Sequence, residues 1–136
     1  MNDRVSREPG AYVLLIELDA PLALEVATLP RAVLPPGRYA YCGSAKGPGG
    51  LGARIARHRR KGKPEHWHVD RLTAAGRIAA VHAEPGGSEC DLVSRLCALP
   101  GTSVPVPGFG SSDCAACPAH LLAVPVDFDP ATLQGS

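Results

Sequence analysis

Residues 38–60 read RYAYCGSAKGPGGLGARIARHRR, and within them the periodicity changes from that of a strand to that of a helix. Arg38 to Cys42 alternates polar and larger residues, as a half-buried strand does. A glycine-rich loop follows from Gly43 to Gly50. From Leu51 to Arg60 the apolar spacing becomes helical: Leu51, Ile55 and His58 or Arg59 share one face, with arginines around the remainder. A strand that feeds a basic amphipathic helix implies a sheet with helices packed on it.

Upstream, Ala11 to Leu18 (AYVLLIEL) reads as a strand bounded by Gly10 and Asp19. Leu22 to Leu29 reads as a second strand, and Pro35-Pro36-Gly37 as a turn. Downstream, Glu65 to Ala74 is expected to form a short helix carrying Trp67, Val69 and Leu72. Arg77 to Ala83 is expected as a strand and Pro85-Gly86-Gly87 as a turn. Ser88, with Asp91 three residues on, is a good N-cap for a helix from Ser88 to Ala98. Its expected apolar side is Cys90, Val93, Leu96 and Cys97. Pro100 to Cys117 reads mostly as loop and His120 to Val126 as a last strand. The fold class expected is α+β: a small mixed or antiparallel sheet flanked by helices. One domain is expected over residues 10–127, between a polar tail over 1–9 and a second tail over 128–136.

Composition narrows the function classes. A hydrophobic content of 45% with only 4% aromatics implies one core built mainly from Leu, Val, Ile and Ala. The net charge of +1 gives no global argument for a nucleic-acid partner. The first ten residues are polar, which argues against a secretory leader, and no apolar run approaches the ~20 residues that span a bilayer. A cytoplasmic location without membrane contact is therefore expected. The five cysteines are expected as thiols.

Three features carry chemistry together. Gly10-Ala11-Tyr12 opens one strand and Tyr41-Cys42-Gly43 closes another. Arg54 and His58 sit at i and i+4 on the following helix, so they point the same way. Glu89 lies in the first turn of a later helix. This ordered set resembles the GIY-YIG nuclease superfamily, which pairs a Gly-x-Tyr strand with a Tyr-x-Gly strand. There, a helix with Arg and a His or Tyr one turn on follows, and then a metal-binding Glu. The stretches YCGSAKGPGGLGARIARHRR, HWHVD, SEC and FGSSDC are similar to the DUF123 branch of that superfamily, from about Gly10 to Val124. Ala11 and Cys42 depart from the middle residues of the two tripeptides. The long interval between Tyr12 and Tyr41 calls for an extra strand or turn over Leu22 to Gly37.

The resemblance implies a metal-dependent endonuclease that hydrolyses phosphodiester bonds in nucleic acid with one metal ion, with Tyr12, Tyr41, Arg54, His58 and Glu89 in the site. DNA, including single-stranded DNA, is the favoured substrate. Glu89 is the expected ligand of Mg²⁺ or Mn²⁺, because a hard divalent ion is often held by one or two carboxylates, waters and substrate phosphate. Arg54 supplies a permanent planar cation for phosphate oxygens. Tyr12 is expected to orient or deprotonate the attacking water, with His58 tuning it and Tyr41 completing the pocket. An unperturbed phenol, with a pKa of about 10, needs nearby positive charge for that work.

Substrate contact has its own signature. Arg54, Arg57, Arg59, Arg60, Lys61 and Lys63 form a run without an acid, suited to phosphates and sensitive to salt. Lys46 in the glycine-rich loop and His66 and His68 around Trp67 are further expected contacts, with Trp67 either stacking on a base or packing in the core. The glycine-rich loop is not a nucleotide-binding loop, since Gly47 is followed by Pro48 rather than by Lys and Ser or Thr. Two other readings stay open: a nucleic-acid-binding module without catalysis, and a small interaction protein stabilised by zinc on Cys114, Cys117 and His120. Cys90 or another histidine would then be the fourth zinc ligand.

Overall fold

The structure, a computed structural model, describes residues 7–24, 32–45, 47, 49–60, 69–106 and 119–130. Its centre is β1 (Gly10–Leu18), an almost unbroken apolar run whose residues are buried except for the half-buried Glu17. A strand with this composition must be covered on both faces, and it lies inside the main sheet. β4 (Gly37–Ala45) pairs with it on one side and β5 (Arg77–Pro85) on the other. β6 (Leu121–Val124) extends β4, giving the order β5-β1-β4-β6 with every pairing antiparallel. A small antiparallel pair, β2 (Leu22–Leu24) with β3 (Ala32–Leu34), occupies the interval between β1 and β4. The fold is thus α+β, as the periodicities require.

Strand alternation divides the core in two. Tyr12, Leu14, Ile16 and Leu18 project to one face, where they meet Leu51 and Ile55 of α1 (Gly50–Arg59) and Leu72 of α2 (Asp70–Ala75). Ala11, Val13 and Leu15 project to the other, against Leu92, Val93 and Leu96 of α3 (Glu89–Cys97). Full burial of one such aliphatic side chain stabilises the fold by about 1.5–3 kcal/mol. Phe128 also packs in the second cluster. At the far end of the sheet Glu17 lies opposite both Arg38 and Arg77 and pairs with each, at 2.7 Å to Arg38.

Several local expectations are corrected. β4 does not stop at Cys42 but continues to Ala45, because Gly43, Ser44 and Ala45 remain in register with Tyr12, Ala11 and Gly10. Cys97 is exposed; the buried side of α3 is Leu92, Val93 and Leu96. Cys42 and Cys97 are thiols but Cys90 is disulfide-bonded, which corrects the expectation of thiols throughout. Such a bond depends on Cα atoms about 4.4–6.8 Å apart, a proximity that spacing along the chain does not reveal. Among the described residues no helix is long and apolar enough to cross a membrane.

Candidate active site at the end of the sheet

The register puts Tyr12 directly opposite Gly43. A Cβ on Gly43 would lie 2.5 Å from Tyr12 Oη and 2.6 Å from Cζ, so the phenol ring lies across the neighbouring strand where only glycine leaves room. That contact is the physical content of a tyrosine on one strand and a glycine closing the next. It also replaces the reading of Gly43 as part of a loop.

α1 supplies the next groups. Gly50, at φ +60°, starts the helix hard against the backbone of Arg7, and Leu51 N–H donates to the Glu8 carbonyl at 3.0 Å. From that start, Leu51, Ile55 and His58 fall on the buried side. His58, 1% exposed, brings Nε2 to 2.7 Å from Tyr12 Oη. Its ring centroid lies 5.4 Å from that of Tyr12 and 6.1 Å from that of Tyr41. One turn earlier, Arg54 donates from Nη1 to the Ser44 carbonyl at 2.9 Å, and its charge favours the ionised form of the Tyr12 phenol.

Glu89 arrives from the opposite face. The Ser88 hydroxyl accepts from Asp91 N–H at 3.4 Å, capping α3 and placing Glu89 in its first turn. β5 ends beside Gly10, so this helix begins at the same end of the sheet as Tyr12 and Gly43. Ser44 joins the two sides: its carbonyl receives Arg54 and its hydroxyl donates to Glu89 Oε1 at 3.4 Å. The other carboxylate oxygen, Oε2, lies 3.4 Å from His120 Nδ1.

Burial pushes the Tyr12 phenol well above the usual tyrosine range, with Arg54 pulling the other way and Glu89 adding to the rise. Tyr41 is raised likewise, by burial first and then by Tyr12 and Glu89. Both hydroxyls are therefore neutral at physiological pH. Tyr12 can thus donate or relay a proton but does not stand as a phenolate.

The five residues singled out by their order along the chain are thus brought together. Others are placed differently. Arg57, read as a phosphate contact, directs its guanidinium at Asp70 through two 3.0 Å bonds, and Asp70 is 1% exposed. Arg59 and Arg60 are exposed. Lys46, Lys61, Lys63, His66 and His68 lie outside the described residues, as do Trp67, Cys114 and Cys117. Nothing in the sequence marks Ser44 as a site residue except that it follows Tyr41-Cys42-Gly43 directly. His120 drew notice only as a zinc ligand; its approach to Glu89 comes from β6 pairing with β4, continued by Cys42 N–H to the His120 carbonyl at 2.8 Å.

The Glu89 carboxylate suits a hydrated divalent cation. It offers hard oxygen donors, its side chain is 27% exposed, and its contacts to Ser44 and His120 are both long, at 3.4 Å. Among the described residues no group of three or more His, Cys, Asp or Glu side chains forms a cage.

Comparison with known proteins gives one finding. The family described as "Domain of unknown function DUF123" matches residues 11–133. No curated protein and no solved structure matched the chain.

Proposed function

The chain belongs to the DUF123 family, and on that premise we propose that it is a divalent-metal-dependent phosphodiesterase of the GIY-YIG type acting on nucleic acid, DNA first. The observation that carries this reading is the gathering of Tyr12, Tyr41, Arg54, His58 and Glu89, drawn from both faces of the sheet, around Gly43 and Ser44.

Hydrolysis of a phosphodiester needs an activated water, positive charge on the phosphate oxygens and help for the leaving oxygen. Tyr12, kept protonated by burial, donates to His58 Nε2, with the imidazole proton on Nδ1. The phenol oxygen keeps a lone pair for an incoming water. As that water attacks phosphorus, its proton passes to Tyr12 while the phenol proton moves to His58, so no free phenolate forms; the P–O ester bond opposite breaks, and the departing oxygen takes a proton from solvent. Arg54, already braced by the Ser44 carbonyl, is placed to take phosphate oxygens with its remaining N–H groups. Tyr41 walls the pocket beside His58. A cation held by Glu89, Mg²⁺ or Mn²⁺, would add positive charge where the phosphate gains negative charge. Arg59, the last residue of the same helix, and Arg60 just beyond it are exposed, where they can reach more distant phosphates.

The test incubates purified protein with single-stranded DNA, duplex DNA and RNA in Mg²⁺, Mn²⁺ or EDTA, then repeats it with Glu89→Gln, Arg54→Ala and Tyr12→Phe. Cleavage by the wild type should require the metal. Each variant should lose about 10²-fold or more, while Glu89→Gln keeps most of its affinity for nucleic acid. Undiminished cleavage by Glu89→Gln, or none by the wild type on any substrate, would refute the reading.

A further inference from the structure

His120 is buried, 2% exposed, and its backbone is pinned by the bond from Cys42 N–H to its carbonyl. Its Nε2 has no hydrogen-bond partner among the described residues. Its Nδ1 faces Glu89 Oε2 at 3.4 Å, beyond the usual 2.7–3.2 Å of an N–H···O hydrogen bond. Among the described residues, then, no short hydrogen bond occupies Nδ1, and its lone pair is open to a cation. The separation suits a different pairing. Two donors each about 2.1 Å from one cation stand roughly 3.0 Å apart at an octahedral angle and roughly 3.4 Å apart at a tetrahedral one. A carboxylate oxygen and a ring nitrogen at this spacing can share one ion.

We infer that His120 is a second, nitrogen ligand for the cation held by Glu89, and that the pair biases the site toward Mn²⁺, Co²⁺ and Zn²⁺ over Mg²⁺. This rests on the reading of Glu89 given above and specifies which class of cation it takes. Imidazole suits the borderline first-row ions, whereas Mg²⁺ prefers oxygen and keeps its waters. Ligation at Nδ1 leaves the ring proton on Nε2. Ser44 steadies the other carboxylate oxygen, leaving Oε2 and Nδ1 facing each other. The role is separate from the zinc reading of Cys114, Cys117 and His120, because here the partner is Glu89.

The test uses the full chain without nucleic acid. Mn²⁺ is titrated and followed by loss of the free-ion electron paramagnetic resonance signal, with Mg²⁺ as competitor. Pulsed resonance on bound Mn²⁺ then reports whether a ¹⁴N nucleus is directly coordinated. The wild type should show that nitrogen. His120→Asn should lose it and narrow the Mn²⁺ over Mg²⁺ preference about tenfold, the lower end of the effects seen around metal ligands. His120→Gln serves if Asn does not fold. No coordinated nitrogen in the wild type, or a nitrogen signal unchanged in the variant, overturns the inference. Glu89→Gln separates the two levels. If it abolishes Mn²⁺ binding while no nitrogen is seen, only the role of His120 fails. If it binds Mn²⁺ like the wild type, the assignment of Glu89 fails as well.

Discussion

Replacing Gly43 by alanine probes the contact on which the site is built. A glycine inside a strand ordinarily costs stability, so Gly→Ala there should gain about 0.5–1 kcal/mol. Here the added Cβ would meet Tyr12 Oη at 2.5 Å and Cζ at 2.6 Å, well inside the ~3.5–4.0 Å of a favourable carbon contact. The ring cannot swing aside cheaply, because Tyr12 is 1% exposed and its hydroxyl is 2.7 Å from His58 Nε2. Overpacking of this kind costs about 1–3 kcal/mol, and displacing a buried hydrogen bond about 1 kcal/mol more. The net expectation is a loss of about 1–3 kcal/mol. In a Tyr12→Leu background the three phenol atoms nearest the new Cβ (Oη, Cζ and Cε1) are gone. The same substitution should then be neutral or slightly stabilising. Urea denaturation of the four proteins measures the coupling, expected at about 2 kcal/mol; with slopes of about 1–3 kcal/mol per molar that is a midpoint difference on the order of 1 M. Equal costs in the two backgrounds, within about 0.5 kcal/mol, would refute the argument.

Three further outcomes are expected. Arg57→Ala strands the buried Asp70 carboxylate and should cost about 3 kcal/mol in chemical denaturation; a loss below about 1 kcal/mol would show that the pair is dispensable. Arg59→Ala should leave stability within about 0.5 kcal/mol but reduce the salt slope of nucleic-acid binding by about one, and an unchanged slope would remove Arg59 from the interface. Glu84 accepts from Arg95 at 2.5 Å and pairs with His82 at 2.8 Å. The Arg95 hydrogen bond, more than the His82 contact, holds its carboxyl below the ordinary 4.5. A depressed carboxyl contributes stability that is present above its unfolded value and lost as pH falls through the folded one. Glu84→Gln should therefore destabilise the protein at pH 7, by about 1 kcal/mol, and match the wild type once both are well below pH 4.5. A difference that persists undiminished at low pH would point to packing rather than charge.

The elements differed in how openly the chain displays them. β1 is evident because a run such as AYVLLIEL has no polar face to offer solvent. α1 is evident because Leu51, Ile55 and His58 recur at the helical period. The end of β4 is hidden because Gly43 has the composition of a turn, whereas it is the small partner a cross-strand tyrosine needs. Arg57 looked like its neighbours in a basic run, since nothing local reveals that α2 places Asp70 against it. Cys97 falls outside the buried side of α3 for a related reason: period alone locates a stripe only to within a residue or so.

By itself, then, the chain determined its α+β class, the order of its main elements, and five reactive side chains of a recognisable kind. These depend on periodicity and on the chemistry of single residues, which are local properties. The tertiary structure alone decided the partnerships: Tyr12 over Gly43, Ser44 between Arg54 and Glu89, and His120 beside that carboxylate. Each arises from strand register and from helices laid on opposite faces of one sheet. Those contacts join residues far apart in the chain, where no spacing rule reaches.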